Sequence, residues 1–269
     1  MTGSAPERLA DYEVVQVLNR PGPDGWLLAR SPARLGLDGG TVEVRVLAGR
    51  HDDQRFDRVV EELRAFASTD SPHLARLYDA GWDDGLVWYS TEHPVTGSLA
   101  EPGRFLSAEQ RLQVVAEAAR GAHALHEAGV THGDIRPATV LLDPDRAVLA
   151  GPQLAHLLSP GRTITGSAPA EELEYCDPAG IRGEHGGRAS DIWSLGLTLH
   201  RTLAQTSAYP GLDPGGGPVA AIRRMQAGGP EISTRLDPAV AEVVRACVAP
   251  DPADRPHTAL ALAEQIESL

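Results

Sequence analysis

The sequence predicts an α+β protein with two lobes, a small β-rich N-terminal lobe that carries one main helix and a larger helical C-terminal lobe. From residue 12 to about residue 94, short runs rich in β-branched and aromatic residues alternate with turn residues, as in EVVQVL, GWLLAR, TVEVRVL and LVWYS. From residue 107 onward, the pattern changes to long stretches with helical periodicity. We therefore expect an N-terminal extension over residues 1–11 and one domain over residues 12–269, divided into lobes near residue 94.

The expected helices all have amphipathic patterns. In the N-terminal lobe, one helix is predicted over Arg55–Ala67, where apolar residues recur at helical spacing on one face: Phe56, Val59, Val60, Leu63 and Phe66. In the C-terminal lobe, the segments AEQRLQVVAEAARGAHALHEAG, SDIWSLGLTLHRTLA, PAVAEVVRACVA and TALALAEQIESL predict further helices. The Gly- and Pro-rich segment Tyr209–Pro218 predicts a surface loop.

The charge of the chain restricts its partners. A formal net charge of −13 and a pI near 5.2 argue against binding to nucleic acid or to an anionic membrane, because both require a basic surface. No stretch approaches the roughly 18 consecutive apolar residues of a membrane-spanning helix, and the N-terminus lacks the pattern of a signal peptide. We expect a cytoplasmic chain, or the cytosolic domain of a larger protein.

Two residue types limit the available chemistry. Cys176 and Cys247 are far apart and match no metal-binding or redox spacing, so we expect reduced thiols and no metal site. All 24 basic residues are arginine, because the sequence contains no lysine. Any mechanism that requires a lysine amine is excluded.

Four short segments carry a resemblance to a known family. THGDIRPATVLLDPD, which begins at residue 131, resembles the catalytic loop H-R-D-L-x-x-x-N of eukaryotic-type protein kinases. ASDIWSLGLTLH resembles the central buried helix of that family, DPADRPHTA its Arg-Pro segment and SPHLARLYDAG the strand after its regulatory helix. The order of these segments also matches, so the chain is identified as a degenerate member of the superfamily, a pseudokinase most similar to bacterial serine/threonine kinases.

This resemblance implies that the phosphate-binding loop has lost its glycines. Asn19, Pro21 and Asp24 stand at the three glycine positions. Glycine is needed there because backbone N–H groups must approach the phosphates closely, and proline has no N–H group. Asp24 would also place a negative charge beside the negatively charged phosphates.

The strand TVEVRVL resembles the family's V-A-I-K strand and implies two changes in the cleft. Arg45 stands at the lysine position and is expected to pair with Glu62, which matches the glutamate of the regulatory helix. Glu43 stands at the position of the small residue that covers adenine. We expect its side chain to fill or seal the cleft, and its burial without a partner would cost several kcal/mol.

The resemblance also implies losses at the hinge and at the metal site. Thr91 matches the gatekeeper, which puts Pro94 where the family donates a backbone N–H to adenine. Gly151 replaces the aspartate of D-F-G and Thr139 replaces the catalytic-loop asparagine, so both magnesium ligands are missing. We therefore expect no Mg·ATP, no other cofactor and no metal ion.

The remaining catalytic-loop residues match the family only in part. Asp134 matches the catalytic base and is interpreted as vestigial, retained to hydrogen-bond its own loop, so no catalytic residue is expected to function. Gly133 replaces the arginine that reads phosphorylation of the activation loop. Arg255 lacks its usual glutamate, and Glu184 is the acid expected to replace it.

Three functions remain open. The first is a module that is not an enzyme and docks a protein partner, such as an active kinase or a phosphothreonine-binding module, with Thr163, Thr165 and Ser167 as candidate phosphorylation sites. The second is an unorthodox protein kinase or phosphotransferase that uses Asp134 as base and Arg45 as phosphate anchor. The third is a sensor that binds a small molecule in the remodelled cleft.

Overall fold

The computed structural model describes residues 7–18, 25–37, 39–47, 53–83, 85–93, 96–101, 106–151, 154, 170–182, 187–212 and 217–269. These residues form a β-rich N-terminal lobe and a helical C-terminal lobe, so the predicted α+β bilobal fold is confirmed. None of the helices in the described ranges is both long enough and apolar enough to cross a membrane.

The N-terminal lobe contains an antiparallel sheet with the strand order β1-β2-β3-β4-β6-β5. The strands are β1 (Arg8–Leu9), β2 (Tyr12–Leu18), β3 (Gly25–Arg30), β4 (Thr41–Val46), β5 (Leu77–Asp83) and β6 (Leu86–Glu92). The apolar runs recognised in the sequence therefore do form strands. β4 lies between β3 and β6, and four successive residues of it are buried, which indicates that both of its faces are covered.

The alternation of side chains along β4 distinguishes the two faces of the sheet. Val42 and Val44 pack with Tyr12, Leu27 and Trp88 on one side of the sheet. Because successive side chains of a strand point to opposite faces, the side chains of Glu43 and Arg45 point to the other side of the sheet. The sheet thus carries a buried carboxylate and a buried guanidinium together on the face opposite these valines.

One helix covers the N-terminal sheet. This helix, α1 (Asp53–Ser68), includes the predicted helical segment and extends it at both ends. Its buried residues Val59 and Leu63 pack against Leu47, Val87 and Tyr89 of the sheet. The helix and the sheet therefore share a small apolar core that includes a tyrosine next to the cleft.

A short strand of the sheet lies before residue 12, where the sequence predicts the start of the domain. Arg8 and Leu9, which were assigned to an N-terminal extension, pair with Glu13 and Tyr12 of β2. Leu9 is buried in the core of the sheet, and burial of this apolar side chain explains why the short strand is ordered.

The C-terminal lobe is built around a buried central helix. Its helices are α2 (Ala108–Glu127), α3 (Ala170–Leu173), α4 (Pro178–Ile181), α5 (Arg188–Ala204), α6 (Gly217–Ala227), α7 (Pro238–Cys247) and α8 (Ala259–Glu267), and a hairpin is formed by β7 (Val140–Leu142) and β8 (Ala147–Leu149). The central helix is α5, in which most residues are buried. α2 starts with a capping box, in which Ser107 and Gln110 exchange side-chain-to-backbone hydrogen bonds.

The segment predicted as a surface loop is partly a core element. Tyr209 is buried and packs with Trp193, Leu197 and Ala221. Gly217, near the end of the predicted loop, already begins α6. The Gly and Pro content of the segment predicts a loop, whereas the buried side chain of Tyr209 packs the segment against the lobe.

Candidate functional site

Asp191 of α5 fixes the backbone of the loop that contains the candidate base. Its carboxylate accepts hydrogen bonds from the N–H groups of His132 (2.8 Å) and Gly133 (2.9 Å). His126 contacts the same carboxylate, with Nε2 2.8 Å from Oδ2. Gly133 has φ of 74°, a backbone conformation that favours glycine. The glycine at this position, where the family has an arginine, therefore suits the backbone conformation of the loop.

Asp134 lies in a chain of charges. Its Oδ1 accepts a hydrogen bond from Nε of Arg136 at 2.8 Å, and Arg136 also donates to Glu172 at 3.2 Å. Burial lowers the pKa of Arg136, but the two carboxylates outweigh burial and leave that pKa raised. Arg136 is therefore a permanent cation, and it holds a second carboxylate close to the candidate base.

Thr139, at the position of the metal-binding asparagine, supports the same loop. Its hydroxyl can donate its one proton either to the carbonyl of Asp134 (2.6 Å) or to the carbonyl of Arg136 (3.0 Å). The hydroxyl oxygen also accepts a hydrogen bond from the N–H of Arg136 at 3.1 Å. This side chain is buried. Its hydrogen-bonding capacity is used to close the loop, which is a different role from binding a metal ion.

Arg45, at the lysine position, is enclosed by two aromatic side chains. Its guanidinium lies over the ring of Trp26, 4.8 Å from the centroid, and donates a hydrogen bond to the hydroxyl of Tyr89 at 3.2 Å. The register explains both contacts, because Trp26 of β3 and Tyr89 of β6 are the cross-strand partners of Arg45. All three side chains are buried. The described contacts of Arg45 include no ion pair with Glu62, so the expected pairing is not observed.

Tyr89 also explains why residue 151 is a glycine. A β-carbon placed on Gly151 would lie 2.7 Å from Cε2 and 2.8 Å from the hydroxyl of Tyr89, closer than van der Waals contact allows. The tyrosine ring therefore occupies space that any larger residue at position 151 would need. An aspartate at this position, which the resemblance matches to the first residue of D-F-G, would overlap the ring.

Glu43 is buried and has a partner at the hinge. Its Oε1 lies 3.0 Å from Nδ1 of His93, a histidine that is partly exposed. Thr91, the gatekeeper match, is the cross-strand partner of Glu43 on the same face and is also buried. The carboxylate is buried beside the gatekeeper match, and the histidine reduces the cost of burying it.

Comparison with known proteins identifies the family. The model of the protein kinase domain matches residues 37–266. The chain belongs to the protein kinase family. It is 29% identical over 265 residues to the probable serine/threonine-protein kinase PkwA of Thermomonospora curvata, and 28% identical over 264 residues to the serine/threonine-protein kinase PknJ of Mycobacterium tuberculosis. These alignments cover 96% and 94% of the chain but only 34% and 44% of the two relatives.

Solved structures agree with this assignment at the level of the fold. The kinase domain of PknI from Mycobacterium tuberculosis has a TM-score of 0.69 to the chain at 21% identity, and the alignment covers 100% of the chain and 99% of that domain. A double mutant of the same kinase domain has a TM-score of 0.73. The similarity therefore extends through both lobes.

The family assignment corrects one expectation. The motifs of the sequence predict a chain that is not an enzyme, because residues that hold Mg·ATP in the family are replaced. The relatives are named serine/threonine-protein kinases and the structural neighbours are kinase domains, so the family is one of enzymes and that prediction is contradicted. Substitutions read one at a time were given more weight than similarity along the whole protein kinase domain.

Arg255 of this protein kinase domain has a different acid from the one expected. Its Nη1 lies 2.6 Å from Oδ2 of Asp177, and both side chains are buried. Burial acts to raise the pKa of Asp177, but hydrogen bonds from Arg255 and from the N–H of Ala179 outweigh it and leave the pKa lowered. The expected partner, Glu184, lies outside the described residues. Asp177 thus takes the role of the family's glutamate, although it lies two residues before the position that matches that glutamate.

Several predicted site residues lie outside the part of the chain that the structure describes: Asn19, Pro21, Asp24, Pro94, Thr163, Thr165 and Ser167. In the described ranges, no group of three or more histidine, cysteine, aspartate or glutamate side chains is arranged to hold a metal ion. Four residues with contacts in this region were not predicted from the sequence: Trp26, Tyr89, His93 and Glu172. Of these, Trp26 carried a signal, because it stands at the last position of the motif G-x-G-x-x-G-x-V.

Proposed function

We propose that this member of the protein kinase family acts in signalling by binding a protein partner, and that its cleft does not accept Mg·ATP in the pose used by kinases. The observation that carries the proposal is the buried cluster of Trp26, Arg45 and Tyr89. In the family, the residue at position 45 pairs with the phosphates of ATP. Here the guanidinium of Arg45 packs against the ring of Trp26 and donates a hydrogen bond to the hydroxyl of Tyr89.

The contacts of Arg45 oppose phosphate binding. A nucleotide that drew the guanidinium out of its present position would break its contacts with the Trp26 ring and the Tyr89 hydroxyl. A buried cation–π contact contributes about 2 kcal/mol, and a hydrogen bond from a charged donor contributes about 1.5–3 kcal/mol. Nucleotide binding would have to compensate for both losses before it gained affinity.

The residues on the adenine side and on the metal side of the cleft also oppose the binding of Mg·ATP. Glu43 brings a buried carboxylate to the adenine side of the cleft. On the metal side, Gly151 supplies no ligand and the Thr139 hydroxyl is bonded within its own loop. The side chains at the two positions that match the magnesium ligands of kinases therefore offer no carboxylate or amide oxygen to a metal ion.

A protein partner is the proposed ligand, and an active kinase or a phosphothreonine-binding module would suit the candidate phosphorylation sites. Phosphorylation of Thr163, Thr165 or Ser167 would add charge that a second protein could recognise. Mass spectrometry after incubation with kinases from the same host would detect the added phosphate. If this segment never carries phosphate, the phosphorylation-dependent form of the proposal is refuted.

Protein phosphotransfer is the second candidate function, and the names of the relatives favour it. Asp134 remains at the position of the base, with Arg136 beside it, so a nucleotide in another pose could place its terminal phosphate there. Transfer of labelled phosphate from ATP to a protein substrate, present in the wild type and lost in Asp134→Asn, would establish this function.

Retention of a partner tests the first proposal directly. The tagged chain, cross-linked in its host cells and purified, is expected to retain a specific protein in stoichiometric amount, and Asp134→Asn is expected to retain the same amount. Labelled phosphate transfer without any retained protein would overturn docking in favour of phosphotransfer.

A further inference from the structure

One arginine of the C-terminal lobe bonds to two separate parts of the N-terminal lobe. Arg146 lies in the turn between β7 and β8. Its Nη2 donates to both carboxylate oxygens of Glu92, the last residue of β6, at 3.0 and 3.2 Å. Its Nη1 donates to the carbonyl of Pro72, between α1 and β5, at 2.9 Å. The guanidinium therefore spans the boundary between the lobes.

The turn that carries Arg146 also helps to hold its side chain. The N–H of Asp143 donates to the carbonyl of Arg146 at 2.9 Å, which closes the turn. The carboxylate of Asp143 lies 3.5 Å from Nη2 of Arg146. Two carboxylates and one carbonyl thus surround the cation. A guanidinium with several oxygen partners is better ordered than one in an isolated surface ion pair.

Glu92 lies on the face of the N-terminal sheet opposite Glu43 and Arg45. It is the cross-strand partner of Val42, and cross-strand partners share a face of the sheet. Val42 packs in the core on the side away from Glu43 and Arg45. Arg146 therefore holds the N-terminal lobe from the side opposite the buried cluster of Arg45.

A second attachment joins the lobes at the other end of β8. The N–H of Ala75 donates to the carbonyl of Leu149 at 2.8 Å, and the N–H of Leu149 donates to the carbonyl of His73 at 2.9 Å. Ala75 also packs with buried residues in and beside the hairpin: Leu141, Val148 and Ala150. Leu149 is three residues after Arg146, a distance of about 10 Å along a strand. Two attachments at this separation oppose a rotation of the lobes that either one alone would permit.

We propose that Arg146 clamps the two lobes at one fixed angle, so that the cleft keeps the same opening without a ligand. Kinases are among the proteins whose lobes close around a ligand by motion at a hinge. Because Glu92 is the last residue of β6, the clamp acts beside the segment that connects the lobes and opposes this motion. The inference does not depend on the proposed docking function, since it concerns only how the lobes are held.

The test measures the relative orientation of the two lobes in the whole chain without a ligand. Residual dipolar couplings of the backbone N–H groups, recorded by NMR in a weakly aligning medium, report how each lobe is oriented in solution. One alignment tensor is expected to fit both lobes of the wild type. In Arg146→Ala this common tensor should be lost, because lobes that reorient relative to each other require different tensors.

Arg120→Ala is the matched control, because Arg120 connects α2 to α8 within the C-terminal lobe. Its ion pair with Glu267 has side-chain exposures of 35% and 32%, close to the 36% and 18% of the clamp. The control should keep the common tensor. Glu92→Ala should separate the tensors by no more than Arg146→Ala does, because Arg146 keeps its bond to the carbonyl at position 72. The double variant should match Arg146→Ala alone, since both changes remove the same contact.

Three results would overturn the clamp. A wild type whose lobes already require different tensors would show that the lobe angle is not fixed. A single tensor for both lobes of Arg146→Ala would show that this arginine does not fix it. Separation of the tensors in Arg120→Ala as large as in Arg146→Ala would show a general loss of rigidity. Retention of a partner in cells is measured separately, so failure of the clamp and failure of docking give different results.

Discussion

At the scale of single residues, Tyr89 links three observations that the sequence presents separately. Its hydroxyl accepts a hydrogen bond from Arg45, its ring occupies the space beside Gly151, and it belongs to the small core beneath α1. A change at any of these positions therefore acts on the others. The substitutions in the cleft form one packed unit and are not independent losses.

The contact between Tyr89 and residue 151 gives a prediction about stability. Gly151→Ala is expected to lower the free energy of unfolding by about 1–3 kcal/mol, because the added methyl group overlaps the Tyr89 ring. Tyr89→Leu removes the overlapping atoms. In urea unfolding, the double variant should therefore lose less stability than the sum of the two single variants. Additive losses would mean that the ring and residue 151 do not interact.

At the scale of secondary-structure elements, two contacts hold the helices of the C-terminal lobe together. The ion pair of Asp177 and Arg255 connects the segment before α4 to the segment before α8, and Ser190 of α5 donates to the same carboxylate at 2.9 Å. The close crossing of α5 and α7 depends on Gly196, where a β-carbon would overlap the β-carbon of Cys247. Each contact can be tested by one substitution.

Asp177→Ala is expected to destabilise the chain by about 3–5 kcal/mol, because it leaves the buried guanidinium of Arg255 without its carboxylate. The lowered pKa of Asp177 also predicts the pH dependence. Because the folded state holds the carboxylate ionised, this stabilisation is present above the ordinary pKa of 3.8 and is lost as the pH falls through the lower value of the folded state.

Thermal unfolding from pH 7 to pH 2 measures both effects. The difference in melting temperature between the wild type and Asp177→Ala should shrink at the acid end of this range. The control is Asp254→Ala, an exposed acid near Arg255 in sequence, which should change stability by at most about 0.5 kcal/mol. Equal stability of Asp177→Ala and the wild type at neutral pH would contradict a structural role for the pair.

Gly196→Ala should force α5 and α7 apart and lower the free energy of unfolding by roughly 1–3 kcal/mol. Gly180 of α4 is the matched control, because a β-carbon there meets no atom within 4 Å. Gly180→Ala should be neutral, or stabilising by up to about 1 kcal/mol. Chemical denaturation of both variants decides, and a tolerated Gly196→Ala would rule out the close crossing.

At the scale of the whole molecule, the sequence predicted the architecture better than it predicted the cleft. Strand runs such as TVEVRVL and the helical pattern of Arg55–Ala67 depend on local periodicity, so they were recognisable without tertiary information. The enclosure of Arg45 was not, because its partners are 19 residues before it and 44 residues after it in the sequence. Motif comparison predicted Glu62 as its partner, whereas the register of the sheet places Trp26 and Tyr89 beside it.

The pairing of Arg255 with Asp177 in place of the family's glutamate could not be predicted from the sequence for a related reason. Motif comparison asks which residue stands at a given position, whereas an ion pair needs only a carboxylate within reach. Asp177 reaches Arg255 from a position that matches a different residue of the family's motif. Glu172 was missed in the same way, since its role follows from its distance to Arg136 and not from its place in a motif.

We propose that the cleft, with the side-chain contacts of Trp26, Arg45, Tyr89 and Glu43, does not bind Mg·ATP in the pose used by kinases. The most direct test is a calorimetric titration of the folded chain with ATP and magnesium, followed by the same titration of Tyr89→Leu as a variant with an opened cleft. We predict no saturable binding to the wild type up to a nucleotide concentration of about 1 mM, where a ligand with a Kd of about 1 μM would saturate the site. Saturable binding in the micromolar range by the wild type, abolished by Arg45→Ala, would show that the cleft does bind the nucleotide.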